Sequence, residues 1–457
     1  MHFFLHNSEK SSNFAPTNGY KHMTTHRFSA LVALLIVIFI GSVQAQTYDA
    51  RGAREELRRH PLLSASNYTA YDNAYEAFDH TMTPAPEGYT PFYISTYMRH
   101  GSRWLTSGKD YTRPILFMED ADMDGGLTHQ GKQLLKELHQ LLRLCPTDKL
   151  GVLTDVGFDQ HNGIATRMCE RYPTIFNKSA KVHARSSYVA RCVKSMAEEA
   201  EVITRMSRAN VVQESGKDEW QDYLAHGDLQ PEIKEALANV KAIVREADET
   251  YLHPERLMKV LLKKPEKTNV DDQRKFMRDL FELATNMQSH HFDIELLRYF
   301  TEDEIYALWK VKNINWYLKN GYAPQTESIA PWRQRWLLQD FIAAADTLVD
   351  NRKFHGATLR FGHEGCLMPL VALMELGTLT NEVQNLDTLD HVWRNYEIFP
   401  MAGNVQLVFY RAGKNDDILV KALLNEREIA LPGTPVSGPY YRWKDVRNYW
   451  INKLYAH

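Results

Sequence analysis

The stretch FYISTYMRHGSR, from Phe92 to Arg103, joins a predicted β-strand directly to a cluster of cationic side chains. Aromatic and β-branched residues fill its first half, which is the composition of a buried strand. Arg99, His100 and Arg103 follow, and Gly101 allows the backbone to turn tightly after the strand. Ligands of open α/β sheets bind beyond the carboxyl ends of strands. The stretch therefore predicts an α/β sheet with a ligand site at the end of this strand.

Strand-like and helix-like segments alternate on both sides of this stretch. Amphipathic helices are predicted near residues 125–144 and 151–172, and Thr154 is the expected N-cap of the second. The predicted strands are 92–98, 182–187, 357–362, 405–411 and 418–424. This alternation predicts a three-layer α/β/α sandwich built on a mostly parallel sheet.

The strand signals stop between about residues 205 and 330, where Lys, Glu, Asp and Leu dominate the composition. Within this segment, QRKFMRDLFELATNM (273–287) places its apolar residues on one helical face. We therefore predict an inserted all-α cap domain over residues 205–330. It would separate the two parts, 46–204 and 331–457, of an α/β domain.

The N-terminal segment has the three parts of a secretory signal peptide. Arg27 supplies positive charge, FSALVALLIVIFI (28–40) is an apolar run, and a small-x-small cleavage pattern ends at Ala45. The apolar run is shorter than the roughly 20 residues that a membrane-spanning helix needs. We predict a signal peptide over residues 1–45, with Met23 as an alternative start. The protein would then be periplasmic or secreted, with no membrane attachment after cleavage.

The composition limits the class of ligand. The chain has 457 residues, of which 44% are hydrophobic and 24% are charged, so a disordered or multi-span membrane protein is excluded. Its net charge of −3 and the lack of a long basic run give no footprint for nucleic acid. An anionic ligand must therefore be bound by a local cluster of cationic side chains.

Four cysteines, Cys145, Cys169, Cys192 and Cys366, lack the CxxC spacing of a metal site. In an exported protein they could pair as disulfides, but a chain of this length does not need disulfides to stabilise its core. The sequence leaves both disulfides and buried free thiols open.

Arg99, His100 and Arg103 have the chemistry for phosphoryl transfer. A guanidinium group binds two phosphate oxygens in a bidentate manner. An imidazole can attack phosphorus to form a phosphoenzyme. Because the guanidiniums neutralise charge, no metal or other cofactor is required. Taken alone, the Arg-His-Arg cluster is also compatible with a surface patch that has no function.

Four motifs along the chain together resemble those of the histidine acid phosphatase family. They are RHGSR at 99–103, GVLTDVGFDQ at 151–160, RSS with a further arginine at 185–191, and GHE at 362–364. The predicted helical insertion lies where that family has its cap. FGHEGCLMPL (361–370) and WYLKNGYAP (316–324) are similar to segments of the multiple inositol polyphosphate phosphatases within the family. The resemblance implies the histidine phosphatase fold.

Two positions depart from the pattern of the family. Leu105 replaces a proline that is common after the opening motif, which affects the shape of the local loop. Glu364 directly follows His363, whereas the inositol phosphatases have His-Ala-Glu, so Gly365 occupies the position of their glutamate. Glu364 instead occupies the aspartate position of the general family.

The resemblance and the chemistry together imply a role for each residue of the predicted site. His100, expected in a surface crevice, is the nucleophile, and Glu364 is the general acid. The predicted phosphate clamp consists of Arg99, Arg103, Arg185 and His363. Arg191 is predicted to be only a salt-bridge partner on the following helix.

The implied function is hydrolysis of small phosphomonoesters by an exported enzyme through a phosphohistidine intermediate, with inositol polyphosphates such as phytate as preferred substrates. A histidine acid phosphatase of broad specificity is the first alternative. The second is a binding protein for phosphorylated ligands that has lost turnover because its proton donor is altered.

Overall fold

The computed structural model describes residues 52–145, 147–413 and 417–456. The predicted signal peptide, residues 1–45, lies outside the described residues. Within these three ranges, no helix is long and apolar enough to cross a membrane.

One eight-stranded sheet lies at the centre of the fold. Its strands are β1 (Tyr89–Arg99), β2 (Lys181–Ser186), β3 (Asn210–Ser215), β4 (Gly356–Gly362), β5 (Asn404–Ala412), β6 (Ile418–Leu424), β7 (Arg427–Ile429) and β8 (Tyr441–Arg442). Their order is β3-β2-β4-β1-β5-β6-β7, and β8 pairs with β6.

The α-helices of the described residues are α1 (Ala53–Arg59), α2 (Tyr71–Ala77), α3 (Gly108–Met123), α4 (His129–Leu144), α5 (Asp155–Arg171), α6 (Ala190–Ser207), α7 (Asp218–Gln221), α8 (Pro231–Ala236), α9 (Val240–Tyr251), α10 (Glu255–Leu261), α11 (Val270–Asn286), α12 (Glu302–Asn320), α13 (Arg335–Val349), α14 (Glu364–Leu373) and α15 (Trp443–Tyr455).

The sheet is parallel in one half and antiparallel in the other. β3, β2, β4 and β1 lie side by side as parallel strands, whereas β5 to β8 join through antiparallel pairs. Residues 413–417 alone connect β5 to β6, and a parallel pair would need a crossover of roughly a dozen residues or more. The predicted α/β sandwich is confirmed, and its parallel half contains the strands that lead to the predicted site.

Alternate residues of β1 contact the two helical layers of the sandwich. Ile94 and Met98 belong to a buried cluster with residues of α5 and α6. Tyr93 and Tyr97 point the other way, into a larger core that includes residues of α13, α14 and α15. This arrangement follows from the pleat of a strand, in which successive side chains face opposite sides. It produces the three layers.

The helical segment begins later in the chain than predicted. β3 lies inside the predicted range 205–330 and pairs in parallel with β2 at the edge of the sheet. Its residues, NVVQES, are mostly exposed, so this edge strand lacks the continuous apolar run that marks a buried strand. Helices α7 to α12 follow β3. The division of the chain into two domains stays a prediction.

α4, which was predicted to cover the sheet, packs instead with α3 and with helices that follow β3. Together these helices form a separate helical layer. α4 buries its apolar stripe against α3 and α10. Ahead of it, Leu127 forms an isolated β-bridge with Leu262. In α3, Phe117 stacks on Phe276 of α11 with ring centroids 4.2 Å apart. The helical layer is therefore built from two separate pieces of the chain, residues 108–144 and 218–320.

The four cysteines are all buried and free. Burial raises the pKa of Cys192 to about 12 and that of Cys366 to about 11, so both thiols stay protonated near neutral pH. Of the two alternatives that the sequence leaves open, the structure contains free thiols.

Candidate active site

The carboxyl ends of two neighbouring parallel strands bring the opening and late motifs together. Arg99, the last residue of β1, pairs in register with Gly362, the last residue of β4. His100 and His363 therefore follow at the same edge of the sheet, and their ring centroids lie 5.4 Å apart. The backbone N–H of His100 donates to the Gly362 carbonyl at 3.0 Å.

The motif at 151–160 supports the loop that follows β1. Thr154 caps α5, as predicted, and its hydroxyl accepts from the Gly157 N–H at 3.3 Å. Gln160 accepts from the Ser102 N–H at 2.8 Å and donates to the Ser102 hydroxyl at 2.9 Å. Gly101 lies against the backbone of Gly157, because a Cβ on Gly101 would be 2.5 Å from the Gly157 carbonyl oxygen. The motif therefore fixes the position of the loop.

We expect Gly157→Ala to destabilise the protein by about 1–3 kcal/mol, because the new Cβ would lie 2.3 Å from the Ser102 carbonyl oxygen. Gly163→Ala in the same helix is the matched control. A Cβ there meets the flexible end of Arg167 at 3.0 Å, and alanine is favoured over glycine in a helix by about 0.5–1 kcal/mol. Urea unfolding measures both variants. Similar free energies of unfolding for the two would show that the close approach is not constraining.

His100 is a neutral imidazole with a free lone pair. Its Nδ1 lies 2.9 Å from the Gly101 carbonyl oxygen, which can only accept, so Nδ1 carries the hydrogen. Nε2 has no hydrogen-bond partner in the described chain and lies 3.7 Å from Glu364 Oε2. Burial, followed by the charges of Arg191 and Arg99, lowers the pKa of His100 well below its usual value. The ring is fully buried and does not lie in the predicted surface crevice.

Arg99 and Glu364 form an ion pair beside His100. Arg99 Nε donates to Glu364 Oε2 at 3.1 Å and Nη1 donates to the Phe399 carbonyl at 2.9 Å. Burial lowers the pKa of Arg99 to about 10, so its guanidinium stays charged near neutral pH. Burial opposes ionisation of Glu364, but the charges of Arg99 and Arg103 hold its pKa at about 2. Glu364 is therefore a carboxylate in this arrangement.

Arg103 packs against Tyr68, a residue that no sequence motif indicates. Its guanidinium carbon lies 5.5 Å from the centroid of the Tyr68 ring, a cation–π contact, and its Nη1 donates to the Trp104 carbonyl at 3.0 Å. Burial, with the charge of Glu282 as a second cause, raises the pKa of Tyr68 to about 12. The phenol keeps its proton and can donate it in a hydrogen bond. Tyr68 belongs to no motif, so sequence offers no signal for it.

The structure places Arg191 beside His363, whereas Arg185, the predicted clamp residue, pairs with Asp340. Arg185 donates through both terminal nitrogens to Asp340 of α13, at 3.2 and 3.1 Å. Arg191 lies in the first turn of α6, where its Nη2 is 3.3 Å from His363 Nδ1. It is also the charge that most strongly lowers the pKa of His100.

Arg191 shares a face of α6 with a serine that contacts the loop after β1. Arg191 and Ser195 are four residues apart and share one face of α6. The Ser195 hydroxyl accepts from the backbone N–H of Gly101 at 3.2 Å. This face of α6 therefore lies against the loop that carries His100. Arg185 lies on a strand and points to a different face.

His363 completes the group around His100. It is the N-cap residue of α14, and Tyr97 Oη accepts from its backbone N–H at 2.8 Å. Its Nε2 lies 3.5 Å from the Ser187 hydroxyl and 3.6 Å from Cys192 Sγ. Burial lowers the pKa of His363 to about 4. Its imidazole is therefore neutral near neutral pH and can serve as a hydrogen-bond donor.

The electrostatics of this site favour an anion over a cation. Ligand atoms of His100, His363 and Glu364 lie within 4.8 Å of one another, a spacing at which a metal ion could bind. The guanidiniums of Arg99, Arg103 and Arg191 act on the same groups. A cation would be repelled by three such charges, whereas a phosphate would be attracted.

Comparisons with solved structures agree with this fold. No curated protein matches the chain. Among solved structures, the multiple inositol polyphosphate phosphatase of Bifidobacterium longum in complex with inositol hexasulfate has a TM-score of 0.69 at 20% identity, covering 85% of this chain and 97% of that one. The phytase of D. castellii has a TM-score of 0.61 at 14% identity, covering 86% and 84%. The Hafnia alvei phytase has a TM-score of 0.53 at 12% identity, covering 81% and 98%.

The predicted family resemblance is confirmed by the sequence as well as by the fold. The profile of the histidine phosphatase superfamily, branch 2, matches residues 94–425, a range that contains all four motifs. The chain belongs to the histidine phosphatase superfamily (branch 2) and is a phosphatase that acts on phosphate esters.

Proposed function

We propose that the protein is an exported phosphomonoesterase that hydrolyses inositol polyphosphates such as phytate through a phosphohistidine at His100. The main support is a set of buried polar atoms without partners among the described residues: Arg99 Nη2, His100 Nε2, Arg103 Nε and Arg191 Nε. A buried polar group that lacks a partner costs about 1–3 kcal/mol, and more when charged. The oxygens of one phosphoryl group would satisfy the three guanidiniums.

In the proposed first step, His100 Nε2 attacks phosphorus in line. Its lone pair forms the N–P bond while the bond between phosphorus and the inositol oxygen breaks. The Gly101 carbonyl, which accepts from Nδ1 at 2.9 Å, keeps the ring in the correct tautomer and stabilises the positive charge that develops on it. Arg99, Arg103, Arg191 and His363 bind the phosphoryl oxygens as their charge rises.

Glu364 donates the proton that the leaving oxygen needs. Its pKa of about 2 depends on the nearby charges of Arg99 and Arg103. A bound phosphate shares these guanidiniums and adds negative charge, and both effects raise the pKa of Glu364. The substrate thereby brings about the protonated state that general acid catalysis requires.

In the second step, water attacks the phosphohistidine. Glu364, now a carboxylate, accepts a proton from this water, and the N–P bond breaks to release inorganic phosphate and neutral His100. The same carboxylate therefore serves as acid and then as base, and the cycle restores every proton.

Phosphate release in the presence of a metal chelator tests this function. We expect the protein to release phosphate from phytate with a higher kcat/KM than from nitrophenyl phosphate or sugar phosphates. A broad-specificity phosphatase would show similar values for all of them. If no phosphate were released from any ester, the proposed hydrolysis would be rejected in favour of a protein that only binds phosphorylated ligands.

The clamp is tested by replacing its two candidate arginines in parallel. We expect Arg191→Ala to weaken inhibition by inorganic phosphate and to lower kcat/KM together, each by about 2–5 kcal/mol, because a charged partner of the phosphate is lost. Arg185→Ala is the matched control. It should lower the melting temperature through loss of the Asp340 pair but leave phosphate inhibition within about twofold. If Arg185→Ala weakened phosphate inhibition and Arg191→Ala did not, Arg185 would be the residue of the clamp.

Export rests on the sequence of residues 27–45 alone. When the full chain is expressed in a bacterium, we expect the mass of the periplasmic or secreted protein to correspond to a start at Gln46. A mass that retains the apolar run would contradict cleavage.

A further inference from the structure

Two helices, α5 and α6, both touch the short backbone segment that follows His100. A Cβ on Gly157 of α5 would lie 2.3 Å from the Ser102 carbonyl oxygen. The Ser195 hydroxyl of α6 accepts from the Gly101 N–H at 3.2 Å. The Gly101 carbonyl in turn accepts from His100 Nδ1 at 2.9 Å. The position of the His100 ring therefore depends on where these two helices lie.

A buried polar pair joins the two helices one turn beyond these contacts. His161 follows Gly157 by four residues in α5, and Glu199 follows Ser195 by four residues in α6, so each lies on the same helical face as the earlier residue. His161 Nδ1 and Glu199 Oε1 form a hydrogen bond of 2.7 Å. Both side chains are fully buried. The pair thus links α5 and α6 directly behind the segment that they support.

Each member of this pair has only the other as a hydrogen-bond partner. His161 Nε2 and Glu199 Oε2 are buried without partners among the described residues. Burial raises the pKa of Glu199, and the hydrogen bond with His161 acts in the opposite direction. Such a pair stabilises a fold no better than two well-packed apolar side chains do. It differs from them because a hydrogen bond has a fixed length and direction, whereas apolar contact is not directional.

We propose that His161 and Glu199 are positioning residues, whose hydrogen bond sets the distance between α5 and α6 and thereby the places of His100 and Arg191. Arg191 lies in the first turn of α6, so a shift of this helix moves Arg191 and Ser195 together. A displacement of about 1 Å can slow catalysis by about a hundredfold. The inference rests on the proposed roles of His100 and Arg191.

The test replaces the pair by apolar side chains. Glu199→Met alone leaves His161 buried without a partner and should lower the melting temperature. Combining it with His161→Leu removes both polar groups and should recover most of that loss. The double variant should still phosphorylate His100 about tenfold to a hundredfold more slowly in the burst with nitrophenyl phosphate. Glu199→Gln should stay within about threefold of the wild-type burst rate, because an amide can keep the hydrogen bond in either direction.

The neighbouring pair between the same helices provides the matched control. Asn162 Nδ2 donates to Glu198 Oε1 at 2.9 Å, but both residues are only partly buried. Water can therefore replace the lost partner, and Glu198 does not share the face of Ser195. Asn162→Leu combined with Glu198→Met should leave the burst rate within about twofold of the wild-type value.

A folded double variant at His161 and Glu199 with the wild-type burst rate would overturn the proposal, since the pair would then serve packing alone. An equal loss in the control, or a burst of Glu199→Gln as slow as that of the double variant, would also overturn it. If the double variant does not fold, Glu199→Met and Glu199→Gln are compared at a temperature where both are folded. Equal burst rates would then reject positioning.

Binding of inorganic phosphate, measured by calorimetry, separates these outcomes from failure of the proposed function because it needs no turnover. Weaker phosphate binding by the double variant than by the control, in a protein whose His100 is not phosphorylated, would support positioning of Arg191 and reject the proposed nucleophile. Unchanged phosphate binding and burst rate in an enzyme that is labelled on His100 would support the function and reject positioning.

Discussion

Replacement of His100 by alanine is expected to lower kcat for phosphate esters by at least about 10⁴-fold, because the attacking nitrogen is lost. The fold should persist. Nδ1 bonds only to the neighbouring Gly101 carbonyl, and Nε2 has no partner among the described residues. Labelled substrate, followed by rapid denaturation at alkaline pH, measures the intermediate, since a phosphohistidine bond is labile in acid. The label should be found on His100 in the wild-type protein and be absent from His100→Ala.

Ser102→Ala is the control for this experiment. The Ser102 hydroxyl lies in the same loop and accepts from Gln160 Nε2 at 2.9 Å, which gives it a supporting role. The variant should still be labelled on His100. Label that persists in His100→Ala, or label found on Ser102, would reject the proposed nucleophile.

Replacement of Glu364 by glutamine is expected to slow phytate hydrolysis by roughly 10²–10⁴-fold, the usual range for a positioned general acid. Glutamine keeps the size of the side chain and can still accept from Arg99 Nε. It cannot donate a carboxylic proton to the inositol oxygen, which is a poor leaving group. Nitrophenolate leaves without such help, so the burst of phosphorylation by nitrophenyl phosphate should be much less affected.

The same substitution should tighten phosphate binding. Glu364 neutralises part of the charge of Arg99 and Arg103, and its pKa of about 2 reports that interaction. Without the carboxylate these guanidiniums attract an anion more strongly, so inorganic phosphate should inhibit Glu364→Gln at lower concentration. Equal losses of burst rate on both substrates would give Glu364 a structural role. Another donor would then be needed, since Gly365 has no side chain to supply one.

The local parts of the fold could be predicted from the sequence because their signals are local. Thr154 is followed by an amphipathic run, and it caps α5 as expected. The aromatic and β-branched run before Arg99 is β1. β3 was not predictable in this way, since an edge strand with exposed residues carries little apolar pattern. Its place in the sheet depends on pairing with β2, which sequence spacing does not encode.

The candidate site was predictable where a motif places residues directly at a strand end. Arg99, His100, His363 and Glu364 come together because β1 and β4 are parallel neighbours. Choosing between Arg185 and Arg191 required the direction in which each side chain leaves its strand or helix. Tyr68 reaches Arg103 from a distant part of the chain, so no spacing could connect it to the site.

The two-piece layout of the helical layer limits how such an enzyme can be recombined with its relatives. α3 and α4 leave the sheet between β1 and β2, whereas α7 to α12 follow β3, and each piece buries apolar residues against the other. Excision of residues 218–320 would turn the apolar stripe of α4 towards water, and exposed stripes of this kind promote aggregation. A chimaera that exchanges these helices would have to transfer residues 108–144 and 218–320 together.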